Sequence, residues 1–299
     1  MLLVFLRAHS ISKFMNRFFF LSLMLISTFS WAWGSQFKVH EQNRKGEVYF
    51  YWGWNRSSYT SSDIQFVGDD YDFMLSNVRA TDRQTPFDAG IYFGPKLLTI
   101  PQYNMRFGYF FNDHFDLSFG VDHMKYVVLE DQKVTMNGEI GASHALFEGS
   151  YINDEQVLSP DFLTYEHTDG LNYINIAIKR YDEVLAYKKF RLGLSEGIEV
   201  GGLLPKTNVT LMGSDRNDDF YWSGYGFSAV GGVTLRIYNH FFIQSELKAG
   251  FIDMGAVRTT SVSSDKARQN FFFLQGNILF GFSVPLLKRA KLKTESKIK

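Results

Sequence analysis

The chain has 299 residues, 31 basic against 31 acidic, no cysteine, and 17% aromatic residues, among them 30 Phe and 16 Tyr. Its mean hydropathy is −0.15. Disulfide scaffolds and thiolate metal sites are thereby excluded, and a helical membrane protein is disfavoured, since each of its spans needs about 20 apolar residues.

The one long apolar run, Phe18–Trp33 (FFFLSLMLISTFSWAW), follows Met15-Asn16-Arg17. A basic start, an apolar stretch and small residues at Ser30, Ala32 and Gly34 describe a secretory signal peptide over 1–34, with Met1 or Met15 as its start. An uncleaved N-terminal anchor is the alternative. Without a cysteine after the run, a lipoprotein is excluded.

Beyond a short polar segment, 35–45, apolar residues recur every second position. In Gly46–Ser57, Val48, Phe50, Trp52 and Trp54 share one face, with Tyr49, Tyr51, Gly53 and Asn55 opposite. Pro101–Phe111 sets Tyr103, Met105, Phe107, Tyr109 and Phe111 against Asn104, Arg106 and Gly108. Phe115–Val128 turns Phe115, Leu117, Phe119 and Val121 outward and Asp116, Ser118, Gly120 and Asp122 inward. In Gly170–Arg180, Ile174, Ile176 and Ile178 oppose Asn175, Ala177 and Lys179. Lys189–Val200 faces Arg191, Gly193, Ser195 and Glu199 inward, and Glu196 on its apolar face predicts a bulge or register shift. Ser223–Tyr238, Phe241–Met254 (with Gln244, Glu246 and Lys248 on the polar side) and Asn270–Val284 complete eight predicted spans.

Their connections alternate in length. Asn112–His114, Tyr181–Lys188 and Asn239–His240 are short, whereas Ser58–Ile100, Leu129–Asp169, Gly201–Trp222 and Gly255–Gln269 are long. Short inner turns, long outer loops and an export signal together predict an all-β fold: an up-and-down antiparallel transmembrane β-barrel of eight strands in a bacterial outer membrane. The barrel with its loops then covers 46–284, and a basic tail covers 285–299. Ten strands are the alternative, because Asn137-Gly138 within Lys133–Ala142 carries the signal of a type I′ hairpin; since Tyr151–Asp169 offers no return span, that hairpin is read as strands extending above the membrane. A soluble sandwich or lipocalin-like barrel would leave the broad aromatic faces in water. The first long connection holds Ile64, Phe66, Phe73, Met74, Leu75, Leu97 and Leu98, so it is expected to fold over the barrel mouth.

The eight spans, their alternating connections and the aromatic last strand with Phe280 and Phe282 resemble the small outer-membrane barrels of the OmpA and OmpX type. The resemblance covers about 46–284 and is architectural. Those barrels end on an aromatic residue, whereas this chain continues to Lys299. It implies partners in outer-membrane lipid, lipopolysaccharide and the barrel-assembly machinery, a monomer, and no nucleic acid.

Candidate binding residues follow from parity. Arg106, Asp122, Arg191, Glu246 and Lys248 project into a lumen that eight strands leave just wide enough for side chains. Either the charges pair and seal it, or they line a narrow polar path. His123 and Lys125, on the outer face near the rim, are placed to meet lipopolysaccharide phosphates. No cofactor is implied, and no motif dictates a chemistry: Gly226–Val230 (GFSAV) departs from G-x-S-x-G at its last position. A lipid A hydrolase with His123 as base and a nearby Ser is the enzymatic alternative, although the His-x-Ser pattern of barrel deacylases is missing after residue 34. Asp69, Asp70 and Asp72, and Asp215, Asp218 and Asp219, read as solvated acidic loops rather than metal sites. Functionally, the expectation is a structural, surface-binding or narrow-pore barrel.

Overall fold

The two-residue periodicity produces strands throughout the computed structural model, which describes residues 42–286 apart from 95, 98, 99, 215, 216 and 239. The expected signal peptide and most of the basic tail lie outside the described residues. In chain order the strands are β1 (Glu47–Tyr59), β2 (Ser62–Gly68), β3 (Tyr71–Val78), β4 (Ala80–Thr81), β5 (Tyr103–Phe110), β6 (Phe115–Val128), β7 (Lys133–Ile140) and β8 (Gly149–Val157). Then come β9 (Leu163–Tyr187), β10 (Phe190–Leu203), β11 (Lys206–Leu211), β12 (Asn217–Phe220), β13 (Gly224–Ile237), β14 (Phe241–Arg258) and β15 (Lys266–Pro285).

All fifteen strands belong to one antiparallel sheet, against the eight expected. Within it, β1, β5, β6, β9, β10, β13, β14 and β15 pair in that order, and β15 returns to β1 over Glu47–Tyr59 to close a ring. Closure satisfies every ladder hydrogen bond internally, the condition for crossing lipid with strands. No helix among the described residues is long and apolar enough to cross a membrane.

The strands outrun the bilayer. β9 has 25 residues, about 80 Å of extended chain, whereas a spanning strand needs about 9–11 residues. What happens beyond the lipid is visible on β15. Its outward face carries Lys266, Arg268 and Asn270 and then Leu274, Ile278, Phe280 and Phe282, while its inward face carries mainly apolar Ala267, Phe271 and Phe273, with Gln269 among them, and then mainly polar Gln275, Asn277 and Ser283, with Leu279 among them. Polarity inverts within one strand. Where lipid bathes the wall, apolar side chains point out; where water does, they point in.

The upper level is therefore a water-facing β lobe with its own apolar core. The long connections supply its extra strands: β2, β3, β7 and β8 extend the sheet from the upper edge of β15, β11 and β12 extend it from upper β9, and β4 pairs with β6. Ile64, Phe66, Phe73, Leu75, Met136, Phe162 and Leu211 are buried there against Tyr126, Tyr165 and Phe271 from the ring strands. Burying each large side chain contributes about 1.5–3 kcal/mol, which gives the long connections a reason to fold.

Several expectations are corrected. Asn137-Gly138 is no hairpin turn: β7 runs straight through it, between β3 and β8, with a bulge opposite β8. Pairing on both sides outweighs the local turn preference. The turn expected at Tyr181–Lys188 shrinks to Lys188-Lys189, with Lys188 at φ 52°, because β9 continues to Tyr187. The register shift lies opposite Leu192 and Gly193 rather than at Glu196, which pairs regularly with Arg180 and Gly231. In the first connection, Met74 is only half-buried and Leu97 is exposed, while Leu98 lies outside the described residues.

Candidate functional site

At lipid level the inward positions of neighbouring strands converge on the barrel axis. Arg106 on β5 donates from Nη2 to Glu199 Oε1 on β10 at 2.8 Å and to Asn175 Oδ1 at 2.6 Å, and from Nη1 to Ser118 Oγ at 3.2 Å. The other Glu199 oxygen lies 2.7 Å from Lys248 Nζ and accepts from Ser228 Oγ at 2.9 Å. Lys248 also donates to Asp122. One cation thus bridges two carboxylates, and Glu199 links it to a second cation.

A second cluster lies alongside. Lys179 Nζ donates to Glu246 Oε1 at 3.2 Å and to the Tyr51 hydroxyl at 3.3 Å. Gln244 donates to the same Glu246 oxygen at 2.7 Å. The Tyr49 hydroxyl donates to Asp116 Oδ1 at 2.7 Å. All these charged groups are buried. Tyr49 and Tyr51, with Phe110, Tyr181, Phe242 and Leu279, form an apolar layer inside the same barrel.

The end of the barrel with the short turns carries a third tier. Glu47 Oε1 accepts from both Arg44 and Arg236 at 2.8 Å, and Arg236 also reaches Ser283 Oγ at 2.9 Å. The Arg44 guanidinium stacks 3.7 Å from the Phe110 ring centre and 4.3 Å from that of Tyr181. Between the tiers is a cavity of about 30 Å³ lined by Asp116, Lys179, Tyr181, Thr234 and Arg236, room for one or two waters.

The seven candidate residues fall into three places. Arg106, Asp122, Glu246 and Lys248 join the lumen network. Arg191, expected with them, pairs instead with Glu183 at 2.8 Å near the short-turn mouth of the barrel, its side chain 35% exposed. His123 and Lys125 stand on the outer wall. The His123 ring stacks on Tyr103 at 4.9 Å, its Nδ1 is 2.8 Å from Asn172 Oδ1, and Lys125 Nζ reaches Thr85 Oγ1 at 3.3 Å.

Arg44, Glu47 and Glu183 complete the tier at the short-turn end and were missed. Glu47 shares the parity of Tyr49 and Tyr51, a signal present in the sequence, whereas Arg44 precedes the first strand and has no parity to read. The acidic loops serve structural ends: Asp70 accepts from the Ser143 backbone and hydroxyl, Gln65 donates to Asp72 at 2.8 Å, and Asp218 pairs with Lys206 at 3.3 Å. Asp215 lies outside the described residues. Among the described residues, no three His, Cys, Asp or Glu side chains are grouped to hold a metal ion.

No family model matches the chain, and no curated protein does. Solved structures similar to it include the outer membrane protein OprG of Pseudomonas aeruginosa, at 9% identity over 81% of this chain and 98% of that one, with a TM-score of 0.40. The Neisserial surface protein A is 11% identical over 81% and 97%, with a TM-score of 0.30. The attachment invasion locus protein Ail of Yersinia pestis is 11% identical over 78% and 99%, with a TM-score of 0.26. At such identities and scores the likeness carries no argument, and the architecture above rests on strand pairing and burial.

Proposed function

We propose that this protein is a surface-binding protein of the bacterial outer membrane, in which a closed barrel anchors an extracellular β lobe that meets the partner. The observation that carries the reading is the pairing of a lumen filled by ion pairs with a water-facing lobe that has its own apolar core. A conducting path would have to break buried pairs, at about 3–5 kcal/mol for each partner removed. The closed ring leaves no ring edge unpaired, which supports a monomer in outer-membrane lipid. The lobe does have an edge, β8, which pairs only with β7 among the described residues and exposes Ile152. Its place at the end of the sheet makes it the natural contact for a partner.

The hydrolase alternative finds little support in the geometry, because His123 is engaged with Asn172 and Tyr103 rather than with a serine. Unchanged lipopolysaccharide mass profiles with and without the gene are expected. Purified protein in planar bilayers is expected to give no discrete conductance steps. On intact cells, an impermeant amine reagent is expected to label Lys133, whose side chain is 66% exposed in the lobe, and to spare Lys188 and Lys189 at the inner turn. A photo-crosslinker at Ile152 is expected to yield a discrete adduct on such cells. Stepwise currents together with no adduct would replace this reading with the narrow pore.

A further inference from the structure

The connection between β4 and β5 does not follow β2 and β3 into the lobe. It runs down the outside of the ring. Its short helix, Ala89–Phe93, is capped by Asp88, whose carboxylate accepts from Ile91 N at 3.0 Å. The helix presses Tyr92 and Phe93 onto Trp54, an outward residue of β1, with ring centres 5.5 and 5.4 Å apart. Trp54 in turn lies 5.8 Å from Phe280 on the lipid-facing wall of β15. Polar ties hold the segment from above. Arg56 Nη2 donates to the Tyr92 hydroxyl at 3.1 Å, that hydroxyl donates to Thr85 O at 2.7 Å, and Ser57 N donates to Asp82 Oδ2 at 3.0 Å.

This fastening covers only part of the apolar surface, although Phe87 also packs on Tyr92 with ring centres 5.3 Å apart. Phe87 is 76% exposed and Phe93 62%, and Leu97 and Ile100 are exposed beside them. Water is a costly surrounding for so many large apolar side chains in so short a stretch. The level settles what covers them. Trp54 pairs with Tyr103, and Tyr103 with His123, so the ring of Trp54 marks the upper border of the apolar wall whose lower members are Phe107, Leu117 and Phe119. The exposed face is continuous with that wall through Trp54 and Phe280.

We propose that segment 82–94 is an interfacial lipid-binding element, with Phe87 and Phe93 inserted among the acyl chains of the outer leaflet and Arg56 and Lys125 on its headgroup side. The proposal rests on the lipid-facing wall and is independent of the surface-binding role. Aromatic side chains at a membrane border, with basic groups just above, are the usual way an amphipathic segment lies in an interface.

The chain has no cysteine, so Phe87→Cys, Phe93→Cys, Leu117→Cys and Ile152→Cys can each carry a single environment-sensitive fluorophore. Each labelled full-length protein is refolded into phosphatidylcholine vesicles with and without acyl-brominated phosphatidylcholine, and quenching by bromine is read. Labels at 87 and 93 are expected to be quenched at least as strongly as Leu117→Cys on the wall, and more by shallow than by deep bromines, while Ile152→Cys in the lobe is unquenched. Quenching at 117 with none at 87 or 93 overturns the proposal. Absence of quenching at 117 as well would instead overturn the lipid-facing wall on which it stands. Two positions on the segment, 87 and 93, keep the test decisive if one variant fails to refold.

Discussion

Lys248 offers the sharpest test of the lumen, because it is fully buried and bridges Asp122 and Glu199. Lys248→Met keeps the length of the side chain and its apolar stem but removes the ammonium. Glu199 retains Arg106 at 2.8 Å, whereas Asp122 loses its ion-pair partner and stays buried. Removing one partner of a buried pair costs about 3–5 kcal/mol, since an uncompensated charge remains. Asp122→Asn in the same chain removes that charge, so the double variant should recover most of the loss, with a coupling of about 2–3 kcal/mol between neighbours in one network. Urea unfolding in lipid vesicles, followed by tryptophan emission and by the different gel mobilities of folded and unfolded barrels, measures both quantities. If Lys248→Met unfolds within about 0.5 kcal/mol of the parent, the scatter expected of a site that shares no partners, or if the two substitutions simply add, the lumen is hydrated and the sealed network is wrong.

Further expectations concern other levels of the molecule. His167, in the lobe above the lipid, is buried between Tyr126 and Tyr165, and burial pushes its imidazole down to about 3. The unfolded chain, with an ordinary value near 6.5, takes up a proton first as pH falls. Stability is therefore full above about 6.5 and should drop by about 2 kcal/mol between pH 7 and pH 5, the loss continuing toward pH 3. His167→Gln should flatten that dependence, as hydrogen exchange of lobe amides between pH 5 and 7 would show. On the inner wall, a side chain at Gly108 would sit 2.2 Å from the Tyr49 ring, and that ring is confined by Phe110 and Phe242 at 5.8 and 6.4 Å. Gly108→Val should cost about 1–3 kcal/mol by overpacking and detach Tyr49 from Asp116, read as a lower urea midpoint; an unchanged midpoint would mean the ring has room to move.

Much of the ring was legible in the sequence, because alternation is a local property. Each outward aromatic or aliphatic residue in Tyr103–Phe111 or Asn270–Val284 announces its own face, and the opposite parity identified Arg106, Asp122, Glu246 and Lys248 as inward. Partners were not legible. Lys248 meets Asp122 across 126 residues of chain, and which inward charges meet depends on the stagger of strands around the closed ring. For the same reason Arg191 falls to the tier at the short-turn end with Glu183.

The sequence alone settled that this chain crosses a membrane as strands with apolar residues outside and charges within, since a period of two on an aromatic scaffold admits few other solutions. Only the tertiary structure decided that the same strands continue above the lipid with their polarity reversed, and that the first connection divides between the lobe core and the outer wall. Alternation names two faces but not the medium each one meets. That depends on how far along the strand the bilayer ends, which strand pairing fixes and no local pattern encodes.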